Sequence, residues 1–568
     1  MDLRLYLSGS TEPHARSLAE ALDAAAPADL ALLVADNPEA TLKDGELTVR
    51  IVKKDAQTLG VTTSWGSRSV DQVVAVPSRP LLRADLQRAL ADPTRPLHRR
   101  DGRWYDGLPQ PHARGPAERV VPAVLPESLG DPTFRAAHGV KRAYIAGAMA
   151  GGIAGPELVT AMGRAGYIGF YGAGGLDLKQ VEQAVVRIKS DLGDLPCGFN
   201  LLHNPAEPAV EEATVDLYLK HGVRTISASA FMGLTPAVAR FRLANIREEN
   251  GQIVAPNKVL AKVSRTEVAE PFLRPAPPRL LAELVAKNAI TARQAQLAAH
   301  IPMAEDVTPE ADSGGHTDGR PLSVLVPVFR RLRDRIQAEV GYAVAPRIGA
   351  GGGIADPESL AGALTLGAAY VLTGSVNQCT REAGTSNVVK EMLAQAGYAD
   401  VANGPAPDMF EIGAKVQVLS RGSLYAQRAQ LLYDVYRECG GWAEVPRAQR
   451  EKIEKQILGR RFEDVWSDTE RYWNERDPRE VQRAQTEERH KMALCFRWYL
   501  GMTSRWARLG ELTRKRDYQI WCGPAMGAFN DWAKGTELES WEARSVVGIA
   551  DALMTGACQV LRTRMALG

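Results

Sequence analysis

Between about residues 140 and 395, short apolar runs alternate eight times with longer amphipathic segments. The candidate strands are RAYIAG (142–147), YIGFYG (167–172), CGFNLL (197–202), RTISAS (224–229), KVLAKVS (258–264), IPMAEDV (301–307), APRIGAG (345–351) and AYVLTGS (369–375). Segments with helical spacing separate them, among them PELVTAMGRAG, LKQVEQAVVRIKSDL and VLVPVFRRLRDRIQAEV. Strands that alternate with helices make parallel βαβ units, because each crossover returns the next strand to the same direction. Eight units over about 250 residues have the count and length of a TIM (β/α)8 barrel. An open doubly wound sheet is the competing layout. The barrel is preferred because the glycine-rich, phosphate-type turns follow the seventh and eighth strands and not the first.

The flanks differ in kind. Residues 1–125 hold the apolar runs LALLVA (30–35), LTVRIVKK and VDQVVAVP (70–77), which suit strands of a small α/β segment, followed by a proline- and arginine-rich connection. Residues 126–404 are the expected barrel. From 405 to 568, YAQRAQLLYDVYREC and RAQREKIEKQILGRRFEDVW place apolar residues at helical spacing, so an added helical subdomain is expected. A chain of 568 residues exceeds one ordinary core, and a net charge of +2 gives no whole-chain argument for nucleic acid. The six cysteines form no CxxC pair, so neither a metal site nor a disulfide framework is expected. With no apolar run reaching the ~18 residues that span a bilayer, a cytoplasmic protein without membrane contact is expected.

Candidate chemistry clusters at the ends of the expected strands. In IGAGGGIADPESLAGALTLGAAYVLTGS (348–375), Gly351, Gly352 and Gly353 close one strand and Gly374 and Ser375 close the next. Asp356 can cap the helix between them, and Pro357 suits its first position. Bare backbone amides in these two loops suit a phosphate, although plain turns have the same composition. After the first strand, Ala146, Gly147, Ala148 and Met149 leave room for a flat ring or for tight strand–helix packing. Asn200 stands at a strand end, where loop capping is the usual role. Lys262 lies inside an apolar strand, which is costly unless its ammonium points into a polar site. In EADSGGHTDGRP (310–321), Gly315 precedes His316, whose imidazole suits proton transfer near neutral pH. Asp312 and Asp318 are expected to shape that loop through hydrogen bonds. No stretch fits G-x-G-x-x-G after a strand or the P-loop, which disfavours a Rossmann fold or an NTPase.

The segments EADSGGHTD, GGGIADPESLAGALTLGAAYVLTGSVNQCTREAGTS, GPAPDMFEIGAKVQVLSRGSLYAQRAQLLY and RWYLGMTSRWARLGELTRKRDYQIWCGPAMGAFNDW resemble the PfaD family. Its members are trans-acting enoyl reductases of polyunsaturated fatty acid synthases and of polyketide synthases with free-standing acyltransferases. The resemblance runs from about 134 to about 541, and the barrel half alone is also similar to nitronate monooxygenases and FabK-type enoyl reductases. It implies a TIM barrel that holds FMN and uses NADPH. Ala146 to Met149 would lie along the isoalloxazine ring, and Asn200 and Lys262 would reach its polar edge or ribityl chain. Gly351, Gly352, Gly353, Gly374 and Ser375 would hold the phosphate. Gly315 and His316 match the family's GGH motif, beside flavin and substrate.

The implied reaction passes a hydride from NADPH through FMN to the β-carbon of an enoyl thioester. An acyl carrier protein of the synthase carries that thioester, and a proton reaches the α-carbon from His316 or water. Lys262 and His316 are the implied catalytic residues. The helical part would cover the active site or dock the carrier, with Arg505, Arg508, Arg514 and Arg516 as docking groups for an acidic partner. A nitronate-oxidising flavin oxygenase and a non-catalytic synthase scaffold are the alternatives, and a homodimer is left open. Cys522, in YQIWCGPAMGAF, is either a reactive thiol or buried packing, and Cys379 follows the phosphate-type loop.

Overall fold

A computed structural model of the protein describes residues 81, 83–100, 103–106, 119–203 and 208–567, with the backbone of strands Asp2–Leu7, Glu39–Asp44, Leu47–Lys53, Leu59–Trp65 and Arg68–Ser78. Two compact units emerge, Met1–Leu125 with Cys558–Gly568, and Pro126–Ala557. The barrel and the helical part, separated at 404 on sequence grounds, thus cluster as one unit.

In the first unit the five N-terminal strands form a wholly antiparallel sheet, ordered first, fifth, fourth, third, second. LTVRIVKK and VDQVVAVP fall on two of these strands, and LALLVA lies outside the described residues. The stretch expected to be a loose connection instead holds the helix Arg83–Ala91 and a three-stranded sheet of Leu97–Arg100, Arg103–Asp106 and Arg119–Val121. Its order comes from a few apolar side chains that the proline and arginine content masks: Ala89, Leu97 and Val121 are buried in one cluster with Ala566.

The second unit is built on parallel strands Tyr144–Ala146, Ile168–Tyr171, Gly198–Leu202, Thr225–Ser229, Lys258–Val263, Asp306–Pro309, a seventh in two pieces (Arg347–Ile348 and Ala350–Gly351), and Val371–Thr373. Each pairs with the next in sequence. The two pieces of the seventh strand form the two ends of the ladder: Arg347–Ile348 pairs with strand six, and Ala350–Gly351 with strand eight. Strand eight pairs in turn with strand one, through Val371 and Tyr144, so the eight strands close into a TIM barrel. The seventh strand changes partner at Gly349, where the Tyr370 ring packs so closely that a β-carbon would collide with it.

Strand six begins later than its apolar run. Ile301 to Glu305 precede it, and the amides of Met303 and Ala304 donate to Arg274 O (3.1 Å) and Phe272 O (2.8 Å). Those carbonyls end the helix Thr266–Leu273, so the run caps a helix where pairing in the ladder was expected. The long stretch from 278 to 299 divides into helices Pro278–Ala286 and Ala292–Ala298, the second opened by a Thr291 capping box. The Asp356 cap forms as expected, with Ser359 N donating to its Oδ1 at 2.7 Å.

Helices wrap the barrel with faces carrying Val185, Ile188, Val238, Phe241, Phe329 and Ile336, all buried against strand residues such as Phe199, Ile226 and Val307. Each such side chain contributes roughly 1.5–3 kcal/mol on burial. After strand eight the chain forms an antiparallel hairpin, Val401–Pro405 with Lys415–Leu419. The helices Tyr425–Glu438, Phe462–Arg476 and Glu488–Leu509 pack Leu432, Phe462, Phe496 and Tyr499 into one core with hairpin residues Val416 and Val418. The helical subdomain therefore contains a sheet. Among the described residues no helix is long and apolar enough to cross a membrane.

At the N-terminal end of the barrel, Asp306 is fully buried and accepts from Arg347 Nε (2.7 Å) and Nη2 (2.8 Å), with His138 Nε2 2.8 Å from the same carboxylate. Burial alone would raise this carboxyl's pKa. The Arg347 and His138 charges and hydrogen bonds reverse that and hold it far below the usual carboxylate range. Its contribution is therefore present above the unfolded value near ~3.9 and lost as pH falls through the folded one. Asp306→Ala leaves the Arg347 guanidinium buried and unpaired. It is expected to destabilise the barrel by about 3–5 kcal/mol, read as a lowered denaturation midpoint by circular dichroism.

Candidate functional site

The C-terminal ends of the strands bring the sequence-nominated residues to one face. Lys262 precedes the last residue of strand five, and its Nζ donates to Glu310 Oε1 at 2.7 Å, one residue past the end of strand six. Both side chains are about one-fifth exposed, at 23% and 20%, so the pair borders the mouth. The cost of placing a lysine in an apolar strand is thus offset by a carboxylate partner that sequence spacing did not nominate.

The loop carrying His316 is ordered by backbone pairing. Gly315 and His316 form a short strand antiparallel to the hairpin, Gly315 opposite Gln417 and His316 opposite Val416. The expected polar loop is therefore one edge of a three-stranded sheet. Asp312 Oδ1 accepts from Gln417 Nε2 at 2.8 Å, while Asp318 Oδ2 accepts from Ser264 Oγ at 2.6 Å and Arg265 Nε at 3.3 Å. One carboxylate ties the loop to the hairpin and the other ties it to the end of strand five.

His316 Nε2 lies 3.1 Å from Asp408 Oδ2, with 39% of the His316 side chain exposed. Crowding by surrounding protein opposes the imidazolium, but the hydrogen bond and charge of Asp408, helped by Glu310 and opposed by Lys262, leave the His316 pKa raised. Lys262, Glu310, His316 and Asp408 therefore share one electrostatic neighbourhood, with cations and carboxylates alternating.

Backbone crowding holds the loop in place. A β-carbon on Gly314 would stand 2.6 Å from Cys522 N, and one on Gly523 would stand 2.9 Å from Gly314 N. The segment Trp521–Gly523 crosses the histidine loop here. It also reaches the end of strand eight: Gly523 N donates to Ser375 Oγ at 3.2 Å, and Gln378 Nε2 donates to Trp521 O at 2.7 Å. Cys522 and Cys379 are buried, and burial pushes their thiols up to about 12 and about 11. Burial and the raised thiols both suit packing residues better than reactive ones.

The five residues nominated for a phosphate separate into two kinds. A β-carbon on Gly351 would meet Thr308 at 2.9 Å, and one on Gly352 would meet Ala311 O at 2.6 Å, so protein contacts require these glycines. Gly353 and Gly374 face open space with no atom within 4 Å of a β-carbon. Among the described residues, the amides of Gly353, Gly374 and Ser375 have no acceptor in hydrogen-bond reach. Two neighbouring loops thus offer free N–H groups to an anion.

On strand one, Ala146 is fully buried, and Gly147 N donates to Thr373 O at 2.9 Å while Leu372 occupies the place of a side chain. Ala148 and Met149 are partly exposed, and Met149 O accepts from Ala154 N at 3.1 Å. Asn200 lies within strand three, and not at its end as expected. Its Oδ1 accepts from Ser229 Oγ at 2.9 Å, and no acceptor among the described residues engages its Nδ2. Two of the four arginines proposed to dock a partner are engaged. Arg514 pairs with Asp517 at 2.9 Å and lies over the Trp506 ring at 4.2 Å, and Arg508 Nη1 donates to Gly151 O at 2.8 Å.

Sequence reasoning missed Glu310, Gln417 and Asp408 as site residues. Glu310 stood in the quoted motif, where the need of Lys262 for a counter-charge was the available signal. Asp408 lies 92 residues from His316 and had no local signal.

Comparison with known proteins follows the two parts of this unit. Residues 135–403 match the nitronate monooxygenase family model, and residues 439–518 match the inserted helical domain of [acyl-carrier-protein] S-malonyltransferase. The crystal structure of the enoyl reductase domain of MlnA, from the macrolactin biosynthesis cluster of Bacillus amyloliquefaciens, covers 78% of this chain and 100% of its own, with 37% identity and a TM-score of 0.75. A polyunsaturated fatty acid synthase polypeptide of Thraustochytrium sp. is 44% identical over 458 residues, covering 79% of this chain and 30% of that protein. Polyketide biosynthesis protein PksE of Bacillus subtilis is 43% identical over 448 residues, covering 78% of this chain and 58% of that one. The chain thus spans less than two-thirds of the length of these curated relatives.

Gly314→Ala forces the Cys522 backbone away from the histidine loop and is expected to cost about 1–3 kcal/mol, measured by chemical denaturation. Neither Cys379 nor Cys522 should react with a thiol reagent until the protein unfolds, which mass spectrometry of labelled peptides checks.

Proposed function

The chain belongs to the PfaD-like enoyl reductases, and from that premise we propose that it reduces the α,β-double bond of an enoyl thioester carried on an acyl carrier protein of a polyketide or polyunsaturated fatty acid synthase. The supporting observation is the meeting at one barrel face of two loops with free amides and a neighbourhood of two cations and two carboxylates. The amides of Gly353, Gly374 and Ser375 suit the phosphate of FMN, and the open space over both glycines admits it. Asn200 Nδ2 and Lys262 Nζ are the donors suited to the polar edge of its ring, with Ala148 and Met149 alongside. When bound, FMN supplies the hydride relay from NADPH to the substrate β-carbon.

The remaining tasks fall to this chain's own side chains. Reduction at the β-carbon leaves negative charge on the thioester oxygen, and the Lys262 ammonium and the His316 imidazolium are the cations available to stabilise it. A raised His316 pKa keeps its proton near neutral pH, where it can pass to the α-carbon. Asp408 holds the ring at Nε2, leaving Nδ1 for that transfer. The Trp521–Gly523 segment packs against Gly314 and holds the histidine loop in place.

The decisive experiment reduces the flavin anaerobically with NADPH and then adds a crotonyl thioester on a carrier protein. Reoxidation by the thioester is expected. Reoxidation by oxygen alone would favour the nitronate oxygenase that the barrel also resembles. With His316 acting as an acid, the rate should hold below its raised pKa and fall as pH rises through it. Asp408→Asn removes the supporting charge, so this limb should move to lower pH, read from kcat/KM against pH. Gly374→Leu starts from a β-carbon with no protein atom within 4 Å, so FMN retention should weaken about 10- to 100-fold with the melting temperature of the flavin-free protein nearly unchanged, measured by flavin absorbance and thermal denaturation of the purified variant.

A further inference from the structure

The helical region 439–518 carries many surface arginines, and most have partners on their own surface. Arg447 pairs with Glu451, Arg461 with Asp464, Arg471 with Asp468, Arg479 with Asp477 and Arg483 with Glu487. Such pairs neutralise one another and offer little field to a partner. The end of helix Glu488–Leu509 and the turn Leu512–Asp517 depart from this pattern. Arg505, Lys515 and Arg516 are exposed, and among the described residues no carboxylate lies within ion-pair distance of them. Between them stand Leu509 and Leu512, each 66% exposed. The acid within the stretch, Glu511, is occupied locally, accepting from Thr513 N at 3.2 Å and Thr513 Oγ1 at 2.7 Å.

This patch is tied down by hydrogen bonds and lies next to loops at the C-terminal end of the barrel. Gly510, left-handed at φ 75°, turns the chain between the two leucines. Asp517 anchors the turn from below, accepting from Tyr499 OH at 2.6 Å and pairing with Arg428 and Arg514. Two tethers bind the helix end to the barrel's C-terminal loops. Arg508 Nη1 donates to Gly151 O at 2.8 Å, and Ser386 Oγ donates to Ala507 O at 2.7 Å. Gly151 follows strand one, and its amide donates to Gly174 O at 2.7 Å, in the loop after strand two. Two exposed leucines ringed by three unpaired cations therefore stand beside the rim through which a substrate must enter.

We propose that Arg505, Leu509, Leu512, Lys515 and Arg516 are the docking surface for the acidic face of the acyl carrier domain that delivers the thioester, a proposal that rests on the enoyl-reductase function above. The cations meet carboxylates of the carrier, and the two leucines bury against an apolar strip between them. The hydrogen bonds that hold the turn reduce the ordering cost of the encounter. Arg514, engaged with Asp517 and Trp506, supports the surface from within and does not contact the partner.

The test uses the full chain and a purified acyl carrier domain bearing crotonyl-phosphopantetheine. Calorimetry measures binding, and NADPH oxidation measures turnover of that substrate and of free crotonyl-pantetheine. The triple variant Arg505→Glu, Lys515→Glu, Arg516→Glu should weaken carrier binding about 10- to 100-fold and abolish its salt dependence. It should raise KM for the carrier-borne substrate to match and leave turnover of free crotonyl-pantetheine unchanged. The pair Leu509→Ser, Leu512→Ser should weaken binding while keeping the salt dependence. Unchanged carrier binding in both variants, no binding by the wild type, or an equal loss on both substrates would overturn the proposal. A wild type that binds the carrier through this patch yet reduces neither thioester would refute the reductase function and leave the docking surface standing.

Discussion

Two residue pairs, Gly315 with Gln417 and His316 with Val416, join the loop after strand six to a hairpin about a hundred residues later. A polar, glycine-rich loop has little to order it from within, since glycine gives up more conformational freedom on fixing than any other residue. Here the fixing agent is a strand edge, and the hydrogen bond from Gln417 to Asp312 reinforces it. The same junction brings Asp408 onto the imidazole and Trp521–Gly523 across the loop. The barrel supplies a platform, but the position of the histidine belongs to the part of the chain that follows the barrel.

Strands six and seven show one scaffold serving opposite purposes at its two ends. Strand six begins at Asp306, sealed from water in a bidentate pair with Arg347, and the next residue past its end is Glu310, facing Lys262 at the mouth. Strand seven likewise begins at the buried Arg347 and ends at Gly351, beside the open loop at Gly353. Charges at the closed end are fully paired and add rigidity. At the open end the Lys262–Glu310 and His316–Asp408 pairs are partly exposed.

The barrel was legible because parallel strands buried on both faces read as continuous apolar runs separated by amphipathic helices. The Asp356 cap was legible for a similar reason, since its partner lies three residues away. Strand six was misplaced because Met303 and Ala304 are apolar for a different cause, the covering of a helix end. At the site, residue type was visible and partnership was not. His316 and Lys262 carried their chemistry in their side chains, whereas Asp408 is an unremarked aspartate in GPAPDMF until the hairpin folds. The glycines were visible as a group, but only space around each separates Gly352, pressed by Ala311, from Gly353, which faces nothing. In the N-terminal unit two of the five strands, Leu47–Lys53 and Arg68–Ser78, could be seen, but not the antiparallel pairing of the sheet, which depends on long-range register.

The crossing of Gly314 and Gly523 also imposes an order in time. A ribosome releases the whole barrel before residue 523 exists, so a nascent chain can close its eight strands while the histidine loop still lacks its roof. The contact between Gly314 and Cys522 can therefore form only after all eight strands have been synthesised.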